Sequence, residues 1–173
     1  MSTVFTLWCT GLPTSGKHEL SRALVDVLLQ SGHDAALVLA PQEDEATTED
    51  TAFMRLQECL QQASTHHSQG RVAVVSADSP LRIQRAHARS QCENFVEVYV
   101  CTPKASCIDR DDSGLWQRAL NGELRGFVGI DRQYEPPLTP EIVVDLSVKD
   151  IHQATEHCTQ SLQALSLLNV RLG

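Results

Sequence analysis

The stretch Gly11-Leu12-Pro13-Thr14-Ser15-Gly16-Lys17-His18 decides how this chain folds. It has the G-x-x-x-x-G-K frame of a phosphate-binding (Walker A) loop. The short apolar run Val4–Cys9 precedes it and a helical pattern follows, the strand-to-helix setting that such a loop requires. The glycines let the backbone wrap a phosphate, successive N–H groups point inward, and the helix that follows adds partial positive charge. Lys17 is placed to bridge the β- and γ-phosphates of a nucleotide. The plainer alternative is a tight turn with an incidental lysine.

Working outward, Leu20, Ala23, Leu24, Val27 and Leu28 fall on one face of a helix that Gly32 stops. Ala35–Ala40 reads as a second strand ended by Pro41, and Phe53, Leu56, Leu60 and Ala63 as a second helical stripe. Val72–Val75 is a third strand, Pro80 opens a polar helix reaching about Cys92, and Phe95–Cys101 is a fourth strand. The Gly-containing stretch Asp111–Pro140 leads to a fifth strand, Ile142–Leu146, and Ile151, Ala154, Cys158, Leu162 and Leu165 mark a closing helix. Strands alternating with helices predict a parallel sheet covered by helices on both faces, and with the phosphate loop this makes an α/β fold of three layers, of the P-loop NTP-hydrolase type, with five strands. Ligands in such sheets bind at the carboxyl ends of the strands, so the informative loops follow Cys9, Ala40, Ala77 and Cys101.

The 173 residues suit one domain spanning 1–173. Lys+Arg 14 against Asp+Glu 22 gives a charge of −8, a poor match for nucleic acid or an anionic membrane. No apolar run reaches the roughly 18 residues of a membrane span, and the basic start of a secretory signal is missing. A soluble, cytoplasmic chain is expected. None of the six cysteines forms a C-x-x-C pair, so buried free thiols fit better than zinc or disulfides. His66 and His67 read as a solvated helix end.

Position 18 is where the loop departs from its frame. A Ser or Thr there would offer Mg²⁺ a hydroxyl, whereas His18 offers an imidazole to a hard cation that prefers oxygen. Pro13 removes one loop N–H. ATP with a weak or altered Mg²⁺ site is the expected ligand set.

Downstream, the chain carries Phe95-Val96-Glu97-Val98-Tyr99-Val100, Arg110-Asp111 and Gly114-Leu115-Trp116. Next come Gly122-Glu123-Leu124-Arg125-Gly126-Phe127-Val128-Gly129-Ile130-Asp131 and Tyr134-Glu135-Pro136-Pro137. This resembles the adenylylsulfate (APS) kinases, whose corresponding runs read R-D-x-K-G-L-Y, G-E-I-x-G-F-T-G-I-D and Y-E-x-P. Leu7-Trp8-Cys9-Thr10-Gly11-Leu12 and Ser79-Pro80-Leu81-Arg82 resemble that family too, so the likeness runs over roughly residues 4 to 165. It implies transfer of the ATP γ-phosphate to the 3′-hydroxyl of APS, giving 3′-phosphoadenylylsulfate, a step of sulfate assimilation. It also implies that Gly11 to His18 and Arg110 hold ATP, and that Lys17 and Ser79 serve the reaction. Ser79, Pro80, Arg82, Gly126 and Phe127 would hold APS, with Phe127 stacked on its adenine. Lid packing is the plainer role for Phe127, and a solvated helix charge the plainer one for Arg82. The family pairs as a dimer, which puts a homodimer among the expectations.

Several departures cluster. The family's Asp-Gly-Asp after the second strand is replaced by Ala40-Pro41-Gln42, with Glu43 or Asp44 as stand-ins. The next segment, including Thr51-Ala52-Phe53-Met54-Arg55, lacks the family's anion-holding arginines and asparagine. It carries Glu43, Asp44, Glu45, Glu49 and Asp50 instead, the wrong sign for an anionic substrate. In the lid, Ser113 and Val128 replace a lysine and a threonine. Asp78 ends the third strand where the family is apolar, either as a group that serves Mg²⁺ or as a turn-capping Asp. Two readings besides an APS kinase follow: an impaired nucleotide-binding regulatory relative, and a kinase for a different small alcohol.

Overall fold

A computed structural model describes residues 3–41 and 48–168. Five parallel strands form one sheet in the order β2-β3-β1-β4-β5. They are β1 (Thr6–Gly11), β2 (Ala35–Leu39), β3 (Val72–Ser76), β4 (Phe95–Val100) and β5 (Ile142–Val144). The helices are α1 (Lys17–Gln30), α2 (Glu49–Ser68), α3 (Arg82–Gln91), α4 (Lys104–Asp109), α5 (Leu115–Leu120) and α6 (Ile151–Ala164).

Side chains of a strand alternate between faces, and this sorts the core. Leu7 and Cys9 of β1 pack with Leu20, Leu24 and Leu28 of α1 and with Cys158 and Leu162 of α6. Trp8 faces the other way, with Leu56 and Leu60 of α2 and Ala88 of α3. Both faces of the central strands are covered, which is why β1 and β3 read as unbroken buried runs. A third apolar cluster belongs to the segment between β4 and β5, where Cys107, Trp116, Ala119, Leu124 and Phe127 pack together. A helix-on-both-faces parallel sheet is what the sequence predicts.

Details differ for physical reasons. β1 begins at Thr6 and runs to Gly11 because its pairing with β4 continues to Gly11 opposite Val100. α3 starts at Arg82, two residues after Pro80, since Leu81 is still extended. β5 stops at Val144, where Asp145 begins a turn that accepts from Ser147. α4 and α5 are each six residues, too short to show a helical stripe. Phe53 drops out of the expected stripe of α2, being 54% exposed. His67 is not a solvated helix end, because its Nε2 docks 3.0 Å from Thr6 Oγ1 and 3.3 Å from the Phe5 carbonyl oxygen. All six cysteines are free thiols, four of them buried.

Gly11 is required by space. A Cβ there would lie 2.5 Å from the Val100 carbonyl oxygen, which is backbone of the neighbouring strand and cannot turn aside. Gly11→Ala is therefore expected to cost about 1–3 kcal/mol. Thermal denaturation should show a Tm lowered by roughly 2–4 °C per kcal/mol, and an unchanged Tm would contradict this close approach.

Candidate functional site

The turn from β1 into α1 is built by residues with unusual backbones. Thr14 sits at φ 56° and Gly16 at φ 94°, both left-handed. A Cβ on Gly16 would meet Leu146 Cδ1 at 2.5 Å and Arg110 Nη2 at 3.0 Å, so the arginine rests directly on the loop. Arg110 is held there by a hydrogen bond to the Leu146 carbonyl at 3.0 Å and by Glu19 at 3.4 Å. Thr102 Oγ1 donates to the Ser15 carbonyl at 2.8 Å and accepts from Leu146 N–H at 3.3 Å, tying the loop to the ends of β4 and β5. The first N–H groups of α1 have no helical partner of their own.

Lys17 is 3% exposed, donates to the Leu12 carbonyl at 3.1 Å and forms an ion pair with Asp78. His18 Nδ1 lies 2.7 Å from Ser76 Oγ at the end of β3. Burial first, and then the Lys17 charge, holds this imidazole below its ordinary pKa, so it is neutral near pH 7.

A cavity of about 420 Å³ opens over the loop. Of the residues singled out from sequence, Pro13, Thr14, Gly16, Lys17, His18 and Arg110 line its loop side. Asp78, Ser79, Pro80 and Phe127 line it as well. Gly11, Leu12, Ser15 and Gly126 are not among its lining residues and act on the backbone around it. Ser79 adopts φ 42°, and its Oγ accepts from Trp8 Nε1 at 3.1 Å. Arg82 does not line this cavity. Its Nε donates to the Pro136 carbonyl at 2.9 Å and its N–H to Glu135 Oε2 at 2.7 Å, so it ties the start of α3 to the segment before β5. Phe127 touches the cavity, but it is 2% exposed and packs edge-to-face on Trp116, ring centroids 5.0 Å apart. In this conformation it is a lid-packing ring. The Asp78 carboxylate is ion-paired with Lys17.

Several groups at the site escape sequence reading. Arg55 and Arg132 line the cavity. Arg55 lies in the very segment expected to lack anion-holding groups. The signal was available, since Ala52, Arg55, Leu56 and Cys59 recur at helical spacing and all four line the cavity. Among the described acidic residues of that segment, neither Glu49 nor Asp50 lines the cavity. Glu49 and Asp50 are exposed in the first turn of α2, where they favour the helix dipole. Glu43, Asp44 and Glu45 lie outside the described residues. Trp116 Nε1 donates to Thr14 Oγ1 at 2.8 Å, joining the lid to the phosphate loop. Beneath Ser79, Arg85 pairs with Glu97 at 2.7 Å and donates to the carbonyls of Ser79 and Glu135. Thr10, on β1, donates to the Asp78 carbonyl at 2.6 Å.

These residues fit a nucleoside triphosphate: a left-handed glycine cradle, a buried lysine and an arginine lying on the loop. They do not fit a Mg²⁺ ion held by protein oxygens at position 18, since a neutral imidazole already bonded to Ser76 stands there.

Comparison with known proteins agrees with this geometry. The family model described as adenylylsulphate kinase matches residues 3–145. A probable adenylyl-sulfate kinase of Archaeoglobus fulgidus is 34% identical over 154 residues, covering 84% of this chain and 98% of that protein. The adenylyl-sulfate kinase of Microcystis aeruginosa is 31% identical over 172 residues, covering 95% and 94% of the two chains. The structure of the Mycobacterium tuberculosis APS kinase in complex with AMPPNP and APS superposes with a TM-score of 0.86 at 27% identity, covering 94% of this chain and 99% of that one. With the phosphate loop, the sheet order and the Gly122–Pro137 run all in one chain, this protein belongs to the adenylylsulphate kinase family.

Proposed function

We propose that this chain transfers the γ-phosphoryl group of ATP to the 3′-hydroxyl of adenylylsulfate. The observation that carries this reading is one cavity with a phosphate loop on one side and Ser79, Phe127, Arg55 and Arg132 on the other. Lys17 and the loop N–H groups hold the β- and γ-phosphates, and Arg110 covers them. Ser79 and Pro80 form the floor beneath the adenylyl group, and Gly126 gives the lid the turn that brings Phe127 over it. Arg55 and Arg132 meet the anionic end of the acceptor. Transfer through a loose transition state asks for alignment and charge more than covalent chemistry, so no phosphorylated Ser79 is needed. Residues 1–173 act as one unit in this reading, with 111–140 as the lid.

Mg²⁺ would supply neutralisation of the phosphate charge, and position 18 offers it no hydroxyl oxygen. His18→Ser is therefore expected to raise turnover about tenfold at limiting Mg²⁺, some 1.4 kcal/mol of barrier. A Mg²⁺ titration in which the two proteins behave alike would show that position 18 does not limit the reaction.

A second reading, nucleotide binding without turnover, is favoured by one observation: His18 is engaged by Ser76 and Lys17 by Asp78 in the same loop. A coupled assay for ADP separates the two. The kinase reading expects ADP formation that requires both APS and Mg²⁺. ADP release indifferent to APS would sink it.

A further inference from the structure

Phosphoryl transfer to an alcohol needs somewhere for the hydroxyl proton to go, and kinases commonly place a carboxylate there. The wall that follows β2 offers none among the described residues, since Ala40 and Pro41 line it. Among the described residues, the cavity's carboxylates are Glu19, Asp78, Asp111 and Asp112. Glu19 is turned to Arg110, and Asp111 is spent on the N–H groups of Ser113 and Trp116, on the lid. Asp112 follows it on the lid, two residues after Arg110. Asp78 alone stands at the end of a sheet strand, between Lys17 on the phosphate side and Ser79 on the acceptor side. Its side chain is 18% exposed, so it is reachable from the cavity, and its backbone is fixed by Thr10.

We infer that Asp78 is the acceptor-side catalytic carboxylate of this chain. The inference rests on the kinase reading above. Without nucleotide, Lys17 holds the carboxylate. When the phosphates arrive they compete for the ammonium, and Asp78 is released towards the hydroxyl. The bond between the γ-phosphorus and the β–γ bridging oxygen breaks, and its electron pair leaves on ADP. The bond between that phosphorus and the 3′-oxygen forms, and the 3′ proton passes to the Asp78 carboxylate and on to solvent. The pairing also keeps two largely buried charges, 4% and 18% exposed, compensated before substrate binds.

The test uses the full chain and compares wild type, Asp78→Asn, Asp78→Ala, Asp78→Glu and the double variant Glu43→Gln/Asp44→Asn. The readouts are kcat and KM for APS at several Mg²⁺ concentrations, and the thermal shift caused by ADP. Asp78→Asn and Asp78→Ala should lower kcat on the order of 10²-fold or more, with the ADP shift retained and KM for APS little changed. Asp78→Glu should recover part of the rate, and the double variant should keep it. Loss of the ADP shift in Asp78→Asn would make Asp78 only the positioning partner of Lys17 and overturn the inference. Recovery of kcat by added Mg²⁺ would make it a metal ligand, with the same result. Loss of rate in the double variant while Asp78→Asn stays active would move the role to residues 43 and 44. A wild-type chain that forms ADP without responding to APS overturns the substrate reading itself, which is seen before any variant is compared.

Discussion

Lys17→Ala is expected to abolish the thermal stabilisation that ADP or ATP gives this protein. A ligand that binds only the folded state at a hundredfold excess over Kd adds about 2.7 kcal/mol. For a chain of this size that is a Tm rise of roughly 5–11 °C. The variant should show no rise, because Lys17 is the buried cation at the loop and its neighbours cannot reach the same point. Arg110 lies over Gly16 and is anchored by Leu146 and Glu19, and Arg55 comes from the other wall. The substitution also leaves Asp78 without its partner, so the unliganded variant should be somewhat less stable than wild type. The two effects are read separately, as the baseline Tm and as the shift. Equal shifts in the two proteins would mean that the nucleotide does not use this loop.

Arg85→Ala is expected to destabilise the fold by about 3–5 kcal/mol. Removing the guanidinium strands Glu97 at the end of a 2.7 Å ion pair and leaves it Arg89 at 3.5 Å. It also unties the Ser79 and Glu135 carbonyls and the face of Tyr134, over which the guanidinium carbon lies 5.4 Å from the ring centroid. Thermal melts should show a Tm lower by roughly 6–20 °C. The double variant Arg85→Met/Glu97→Leu should regain much of this, because removing both charges leaves none uncompensated. A double variant no better than Arg85→Ala would place the loss in the carbonyl contacts instead. Since Arg85 supports the Ser79 turn, neither variant is expected to bind APS normally even where it folds.

The sequence alone carried the phosphate loop, the alternation of strands and helices, and the family likeness of Gly122–Pro137. Each of these is written within a few neighbouring residues: two glycines at fixed spacing, a period of 3.6 or 2, a turn residue at a helix end. What it left open lay where meaning depends on packing. Arg82 and Arg55 are both arginines near the site in sequence, yet α3 turns the first to Pro136 and α2 turns the second into the cavity. Phe127 sits in a loop whose glycines suggest an open stacking ring, and Trp116 closes over it. Asp78 reads as a metal group or a turn cap until Lys17, sixty-one positions earlier in the chain, is found holding it. Trp116 to Thr14 and Arg85 to Glu135 likewise join residues with no common local pattern. Backbone preference is set by near neighbours, and so it can be read along the chain. The partner of a charge is set by which elements the sheet order brings together, and only the folded chain decides that.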